Sequence, residues 1–262
     1  IPLRLVGSEM CIRDSYTEQA AKKVREEKQA AYVSILVMNP QNGEIYANVN
    51  VPEFDLNNPY DLTAYLADTG QDAAALAGEQ KQDLRNQMWR NQSINDTYEP
   101  GSTFKVITAF APALDTCGAT LGSVYYDAPF TVGTKTFKNW YKQGYLGYSS
   151  IRDGIIYSMN IVAVRTMMES VSPQLGVEYA KNFGITTLTD TDMNAATALG
   201  GITKGVTNLE LTSAFASIAN GGLYTKPVFF TKILDHDGKL LIDNEPETHR
   251  VLKDSTAFLL TD

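Results

Sequence analysis

Apolar and polar positions follow a strand pattern near the start of the chain. Residues 31–38 (AYVSILVM) form a short, β-rich apolar run, and residues 44–49 (EIYANV) alternate. Between them, Asn39-Pro40-Gln41-Asn42-Gly43 is rich in turn-forming residues, so the pattern predicts a β-hairpin. The charged residues 16–29 before it favour a helix.

Helical spacing dominates the middle of the chain. Residues 52–97 are polar, with some helix expected around Asp72–Trp89, and residues 120–150 indicate loops with short strands. Pro112 should end or kink the first apolar helix, and Asn220-Gly221-Gly222 should stop a later one. The predicted helices cover residues 102–114, 150–169, 173–183 and 208–219, and a last one starts near Asp254 or Ser255.

A second hairpin is predicted over residues 228–234 and 239–242, around Asp235-His236-Asp237-Gly238. Hairpins at both ends with helices between them favour an α/β (α+β) domain, with an antiparallel sheet flanked by a helical cluster. Residues 1–15 show no period, and GSEMCIRDS within them resembles a translated sequencing-adapter remnant. We therefore treat residues 1–15 as non-native and residues 16–262 as one domain.

Composition excludes several classes of protein. The chain of 262 residues is 44% hydrophobic and carries a net charge of −8, which argues against a nucleic-acid binder. Its two cysteines, Cys11 and Cys117, form no C-x-x-C or Cys/His cluster, so a structural zinc site is not expected. We expect no cofactor. No apolar run is long enough to span a bilayer.

Ser102-Thr103-Phe104-Lys105 is the one Ser-x-x-Lys of the sequence. A spacing of three on a helix places Ser102 and Lys105 on one face. A serine hydroxyl becomes nucleophilic when a base takes its proton, and a lysine whose pKa is lowered by burial can be that base. By itself the pattern is better explained by a helix-capping serine with an exposed lysine.

Ser158-Met159-Asn160 could place a hydroxyl and an amide into the same cleft, although Ser and Asn also favour helix ends. The same pattern at Ser93-Ile94-Asn95 shows its low specificity. His236 and His249, the only histidines, lie in polar segments, which disfavours a Ser-His-Asp triad.

Three segments carry a family resemblance. GSTFKVIT at 101–108, YSMNIVAV at 157–164 and the long stretch ALGGITKGVTNLELTSAFASIANGGLYTKP at 198–227 resemble penicillin-binding proteins. The first hairpin is also similar, and the resemblance covers about residues 30–262. It implies a β-lactamase/transpeptidase-like fold.

The resemblance implies a D,D-transpeptidase that cross-links peptidoglycan stem peptides. Ser102 would attack the D-Ala–D-Ala bond, Lys105 would act as base, Ser158 would relay protons and Asn160 would hold the substrate. β-Lactam antibiotics would acylate Ser102. It also implies a membrane-anchored parent protein at the extracytoplasmic face of the bacterial membrane, with its anchor outside this chain.

The sequence departs from the family at the third motif, because it contains no K-T-G or K-S-G. Lys135-Thr136-Phe137 lacks the glycine, and Thr203-Lys204-Gly205 has the wrong order. In the family this motif follows a segment like VLKDSTAFLLTD at 251–262, so we expect a domain truncated before it, without its C-terminal strands, and inactive or severely impaired.

Residues 30–108 resemble class B enzymes and residues 109–262 resemble class A enzymes, which suggests a chimera of two related genes. Two other functions stay open. The first is a serine β-lactamase or D,D-carboxypeptidase on the same scaffold, for which no deacylating glutamate can be placed. The second is a non-catalytic penicillin-binding sensor or scaffold, which needs the cleft without turnover.

Overall fold

The computed structural model describes residues 8–67, 72–142 and 144–262. Its α-helices are α1 (Ser8–Lys28), α2 (Thr63–Leu66), α3 (Gly78–Met88), α4 (Gln92–Asn95), α5 (Ala111–Asp115), α6 (Ile151–Ile156), α7 (Asn160–Arg165), α8 (Pro173–Asn182), α9 (Asn208–Ala219) and α10 (Asp254–Thr261). Two π-helical segments, Val106–Phe110 and Thr166–Val171, continue into or from these helices. Short 3₁₀ segments lie at Ala73–Ala75, Gly101–Thr103, Asp190–Asp192 and Ala195–Leu199.

The strands are short and lie in pairs. They are β1 (Val33–Met38), β2 (Ile45–Val51), β3 (Thr97–Tyr98), β4 (Val124–Asp127), β5 (Phe130–Val132), β6 (Lys135–Phe137), β7 (Gly147–Ser150), β8 (Val206–Thr207), β9 (Leu223–Thr225), β10 (Lys232–Leu234), β11 (Leu240–Asp243) and β12 (Thr248–Arg250). Within the described residues, β1 pairs with β2, and the pairs β3–β8, β4–β7, β5–β6, β9–β12 and β10–β11 are antiparallel. The predicted mixed class with antiparallel pairing is therefore confirmed, although each described sheet has two strands.

The described chain divides into two compact units. One contains residues up to 37 together with 45–96, and the other contains 38–44 with 97–262. In the first unit, Ala21 of α1 is buried with Val49 and Val51 of β2. A second apolar cluster joins α2 to α3 through the buried side chains of Leu62, Leu66 and Met88.

Helix α1 begins earlier than the predicted helix at 16–29. It is continuous from Ser8 to Lys28, because this stretch contains neither glycine nor proline. Thr17 Oγ1 donates to Arg13 O at 2.7 Å, across the boundary that the sequence suggested. Residues 1–7 and the side chain of Cys11 lie outside the described part, and the non-native origin of residues 1–15 stays a prediction.

The turn of the first hairpin requires its glycine. Gly43 has a φ of +76°, and a Cβ there would lie 2.6 Å from Lys226 O. Its own carbonyl accepts a hydrogen bond from Val228 N at 2.9 Å. The predicted turn is thus confirmed, and it also packs against the segment that follows β9.

The second unit is built around the helical stretch that starts at Gly101. Phe104, Ile107 and Phe110 are fully buried in its two apolar clusters. The predicted helix at 102–114 is present but irregular, running through 3₁₀ and π geometry before α5. Pro112 does not end it, because it sits in the first turn of α5, where a missing N–H is tolerated.

Local sequence rules explain α9. Thr207 accepts a hydrogen bond from Glu210 N at its start, and the Glu210 carboxylate accepts one from Thr207 N. The helix ends before Gly221 and Gly222, which have φ values of +61° and +81°. The predicted helix at 208–219 and its glycine stop are therefore confirmed.

Candidate active site

Ser102 is an exposed residue in the 3₁₀ turn Gly101–Thr103. The turn is tight because Phe104 N–H bonds to the carbonyls of both Gly101 and Ser102. Thr103 Oγ1 donates to Pro100 O at 2.7 Å and closes the same turn. Ser102 is thus exposed on a turn whose backbone is held by these hydrogen bonds.

Lys105 follows one turn later and is buried, with a relative exposure of 2%. Its Nζ donates to Ser158 O at 2.6 Å and to Ser158 Oγ at 3.0 Å. Burial lowers the pKa of Lys105 to about 8, because removal from water disfavours the charged amine. The exposed-lysine interpretation of the sequence is therefore excluded for Lys105.

Ser158 lies between α6 and α7 in a left-handed conformation, with a φ of +50°. This conformation is uncommon for a residue with a Cβ, and such residues occur in turns and cluster at functional sites. Ser158 N donates to Ile155 O at 3.2 Å, which closes the end of α6. The turn presents both the carbonyl and the hydroxyl of Ser158 to the Lys105 amine.

Asn160 opens α7, and its Nδ2 donates to Lys138 O at 3.0 Å. The next backbone amide, Ile161 N, donates to Asn139 Oδ1 at 3.1 Å. Ser102, Lys105, Ser158 and Asn160 thus all lie on one unit, and Lys105 links the first two predicted motifs directly. The sequence predicts only a loop after β6, and no sequence pattern marks Asn139 as a partner of the helix that starts at Asn160.

The 198–227 stretch supports the corner that carries Ser102. Gly200 has a φ of +77°, and a Cβ there would lie 2.4 Å from Gly101 O. Gly205 approaches Tyr98 in the same way, since a Cβ would lie 2.6 Å from Tyr98 O. Strands β3 and β8 pair beside these contacts. The two glycines allow the stretch to lie directly against the backbone that precedes Ser102.

The buried Asp192 carboxylate connects Thr189 to Thr203 of the same stretch through hydrogen bonds. Asp192 is 1% exposed, and its carboxylate accepts hydrogen bonds from the backbone N and Oγ1 of both Thr189 and Thr203, at 2.7 to 2.9 Å. Burial by itself would raise its pKa, but these four hydrogen bonds outweigh burial, so the pKa of Asp192 lies below its usual value.

The two segments that only partly match K-T-G, Lys135-Thr136-Phe137 and Thr203-Lys204-Gly205, have structural roles. Lys135–Phe137 forms strand β6 of the β5–β6 pair. Thr203 of the second donates its hydroxyl to Asp192 Oδ1 at 2.7 Å. The histidines lie elsewhere: His236 is exposed beside the Asp237 carboxylate, and a ring nitrogen of His249 lies within hydrogen-bonding distance of Asn182 O. Among the described residues, no hydrogen bond or ion pair joins any of these groups to Ser102.

Over the residues that the structure describes, no His/Cys/Asp/Glu group could hold a metal ion. In the same residues, no helix is both long and apolar enough to cross a membrane.

Sequence comparison finds clear relatives. The profile of the penicillin binding protein transpeptidase domain matches residues 33–262. Penicillin-binding protein 1F of Bacillus subtilis is 37% identical over 163 residues, which are 62% of this chain and 22% of that protein. Penicillin-binding protein 1A of Clostridium botulinum is 28% identical over 235 residues, 84% of this chain and 26% of that protein. The chain therefore spans about a quarter of the length of these relatives.

Solved structures share the fold. Penicillin binding protein 3 of Mycobacterium tuberculosis superposes with a TM-score of 0.74 at 19% identity, covering 94% of this chain and 54% of that one. Penicillin-binding protein A of M. tuberculosis, solved as an imipenem acyl-enzyme complex, gives 0.65 at 23% identity, covering 87% and 55%. The division between class A and class B character stays a prediction. The profile match over most of the chain, together with the relatives, shows that the chain belongs to the penicillin-binding protein transpeptidase family.

Proposed function

We propose that this chain carries the acyl-transfer centre of a peptidoglycan D,D-transpeptidase. Ser102 attacks the D-Ala–D-Ala bond of a stem peptide and keeps the acyl group until a second stem peptide's amine takes it. The observation that carries the proposal is the buried Lys105 amine, one turn from the exposed Ser102 and bonded to Ser158. A capping serine with a solvated lysine would need none of this burial.

Lys105 is suited to be the base. A neutral lysine amine has two N–H groups and one lone pair, and its contacts with the carbonyl and hydroxyl of Ser158 use both N–H groups. The lone pair is then free to take the Ser102 proton as Oγ bonds to the substrate carbonyl carbon. With a pKa of about 8, roughly a tenth of the amine is neutral at pH 7.

Ser158 then supplies the proton for the leaving group. When the C–N bond to the terminal D-Ala breaks, the leaving amine takes the Ser158 hydroxyl proton, and Lys105 returns its proton to Ser158. The 3.0 Å contact between Lys105 Nζ and Ser158 Oγ supports this relay. Asn160 uses one amide hydrogen on Lys138 O and keeps the other for a substrate carbonyl.

We place this activity at the extracytoplasmic face of the bacterial membrane, where stem peptides are cross-linked. Stem peptides and β-lactams are its ligands in this proposal. The M. tuberculosis relative solved as an imipenem acyl-enzyme supports acylation by β-lactams.

The test is acylation by a fluorescent penicillin, followed by peptide mass mapping, on the protein as its gene encodes it. Ser102→Ala should abolish labelling, and Thr136→Ala, which removes an exposed hydroxyl on β6, should retain it. An adduct on another residue, or equal labelling of Ser102→Ala, would contradict the proposal. The adduct should also persist after the free drug is removed, because rapid loss would indicate a β-lactamase.

A further inference from the structure

The segment Lys138–Trp140 makes three hydrogen bonds with residues 157–161, which contain Ser158 and Asn160. Asn160 Nδ2 donates to Lys138 O at 3.0 Å, and Ile161 N donates to Asn139 Oδ1 at 3.1 Å. On the other side of Ser158, Trp140 Nε1 donates to Tyr157 O at 3.2 Å. These three bonds, which we call the clasp, bracket Ser158 on both sides.

A buried carboxylate holds the clasp in place. Asp127, which is 1% exposed, accepts from Asn139 Nδ2 at 2.6 Å, from Tyr141 OH at 3.2 Å and from Leu146 N at 2.9 Å. Asn139 therefore has its amide bound to β4 and its carbonyl bound to the first turn of α7. The side chain cannot rotate without breaking bonds to both elements.

Ser158 needs such external support. Its φ of +50° is unfavourable for a residue with a Cβ, and such conformations persist where the surroundings over-determine them. The Lys105 amine bonds to this residue and to no other described residue. The position of Lys105 thus depends on whatever holds the Ser158 turn.

We propose that Asn139, anchored by Asp127, is a positioning residue that holds Ser158 against the Lys105 amine. This inference rests on the proposed function for its catalytic meaning, but its structural part can be tested separately. Loss of the clasp lets the Ser158 turn relax and water reach Lys105. The amine then becomes more accessible and titrates closer to an ordinary lysine.

The titratable groups around the clasp allow a clean measurement. Burial, and then the charge of Asp127, raise the pKa of Tyr141 to about 12, so it stays protonated below pH 10. Burial is the cause of the lowered pKa of Lys105. A shift in the pH dependence between pH 6 and 10 therefore reports the surroundings of Lys105.

The experiment compares wild type with Asn139→Ala, Asp127→Asn and Trp140→Phe. Asp127→Asn keeps the shape of the side chain. In either orientation, however, the new NH₂ group faces an N–H donor, Asn139 Nδ2 or Leu146 N, so one hydrogen bond is lost. Trp140→Phe removes one bond from an exposed ring, so it folds even if the others do not. Thr136→Ala is the matched control, because it removes an exposed hydrogen bond to Thr131 on the preceding hairpin.

Two readouts are taken. The first is the rate at which acetic anhydride labels Lys105 at about pH 10, measured by mass spectrometry. At that pH an amine with a pKa of about 8, or about one unit higher, is mostly neutral, so the rate reports accessibility and does not depend on Ser102 chemistry. The second is the pH at which penicillin acylation is half-maximal. Asn139→Ala and Asp127→Asn should label Lys105 about tenfold faster and shift that pH upward by about one unit, with a smaller change for Trp140→Phe.

Thr136→Ala should match wild type in both readouts. Unchanged Lys105 labelling and an unchanged half-maximal pH in the folded clasp variants would overturn the inference. If wild type is never acylated, the proposed function fails, and the labelling rates alone decide whether the clasp positions Lys105.

Discussion

Replacing Lys105 by methionine should remove a pH dependence of stability that the wild type shows above pH 8. Methionine has a similar volume and needs no hydrogen bond in the buried site. The folded protein holds the lysine at a pKa of about 8, whereas the unfolded chain restores the ordinary value of 10.5. Between these values the unfolded state binds more protons, so wild-type stability rises with pH.

The size of the effect follows from the two pKa values. Below pH 8 the folded state carries the full cost of the buried ammonium, about 3 kcal/mol. From pH 7 to pH 10 the wild type should gain about 2 to 3 kcal/mol in free energy of unfolding relative to Lys105→Met. At pH 7 the hydrogen bonds to Ser158 offset part of the cost, by about 1 to 3 kcal/mol.

The assay is urea unfolding of both proteins at several pH values between 7 and 10. Other titrating groups, among them Tyr141 and Tyr179 with pKa values raised to about 12 chiefly by burial, are shared and cancel in the difference. A difference that changes by less than about 0.5 kcal/mol over this range would mean that Lys105 titrates like a solvated lysine. The proposed base would then lose its physical support.

Two further changes test the scaffold of the site. Gly200→Ala should unfold at a clearly lower denaturant concentration and should slow Ser102 acylation. Gly118→Ala is the control, because Gly118 has a similar φ of +73° but a Cβ there would meet nothing within 4 Å, so its free energy of unfolding should fall by only about 1 kcal/mol. Equal losses of stability in the two variants would show that the contact with Gly101 is unimportant. Asp192→Asn should cost about 2 to 4 kcal/mol at pH 7, because two threonines lose an ionised partner. That cost should shrink as the pH falls below about 4, since the lowered pKa of Asp192 stabilises the fold only while the carboxylate is ionised. A stability cost of Asp192→Asn that does not change with pH would contradict this role of the ionised carboxylate.

Local features could be predicted because their causes are local. The Asn39–Gly43 turn, the Thr207 cap of α9 and the glycine stop at 221–222 depend on residues within a few positions of one another. Helix α1 was placed too late because an exposed helix needs no apolar period. The irregular helix after Gly101 could not be read either, because packing selects π geometry at Val106–Phe110.

The candidate site likewise has features that follow from the local sequence and features that follow only from tertiary packing. The sequence by itself determined that Ser102 and Lys105 share one helical turn, since a spacing of three requires it. Only the tertiary structure decided that Lys105 is buried, because its partner Ser158 lies 53 residues away along the chain. Likewise, the close approach of Gly200 to Gly101 and the hold of Asn139 on α7 come from packing between distant segments. No local pattern of residues encodes such contacts, because they form only when the whole unit closes around its core.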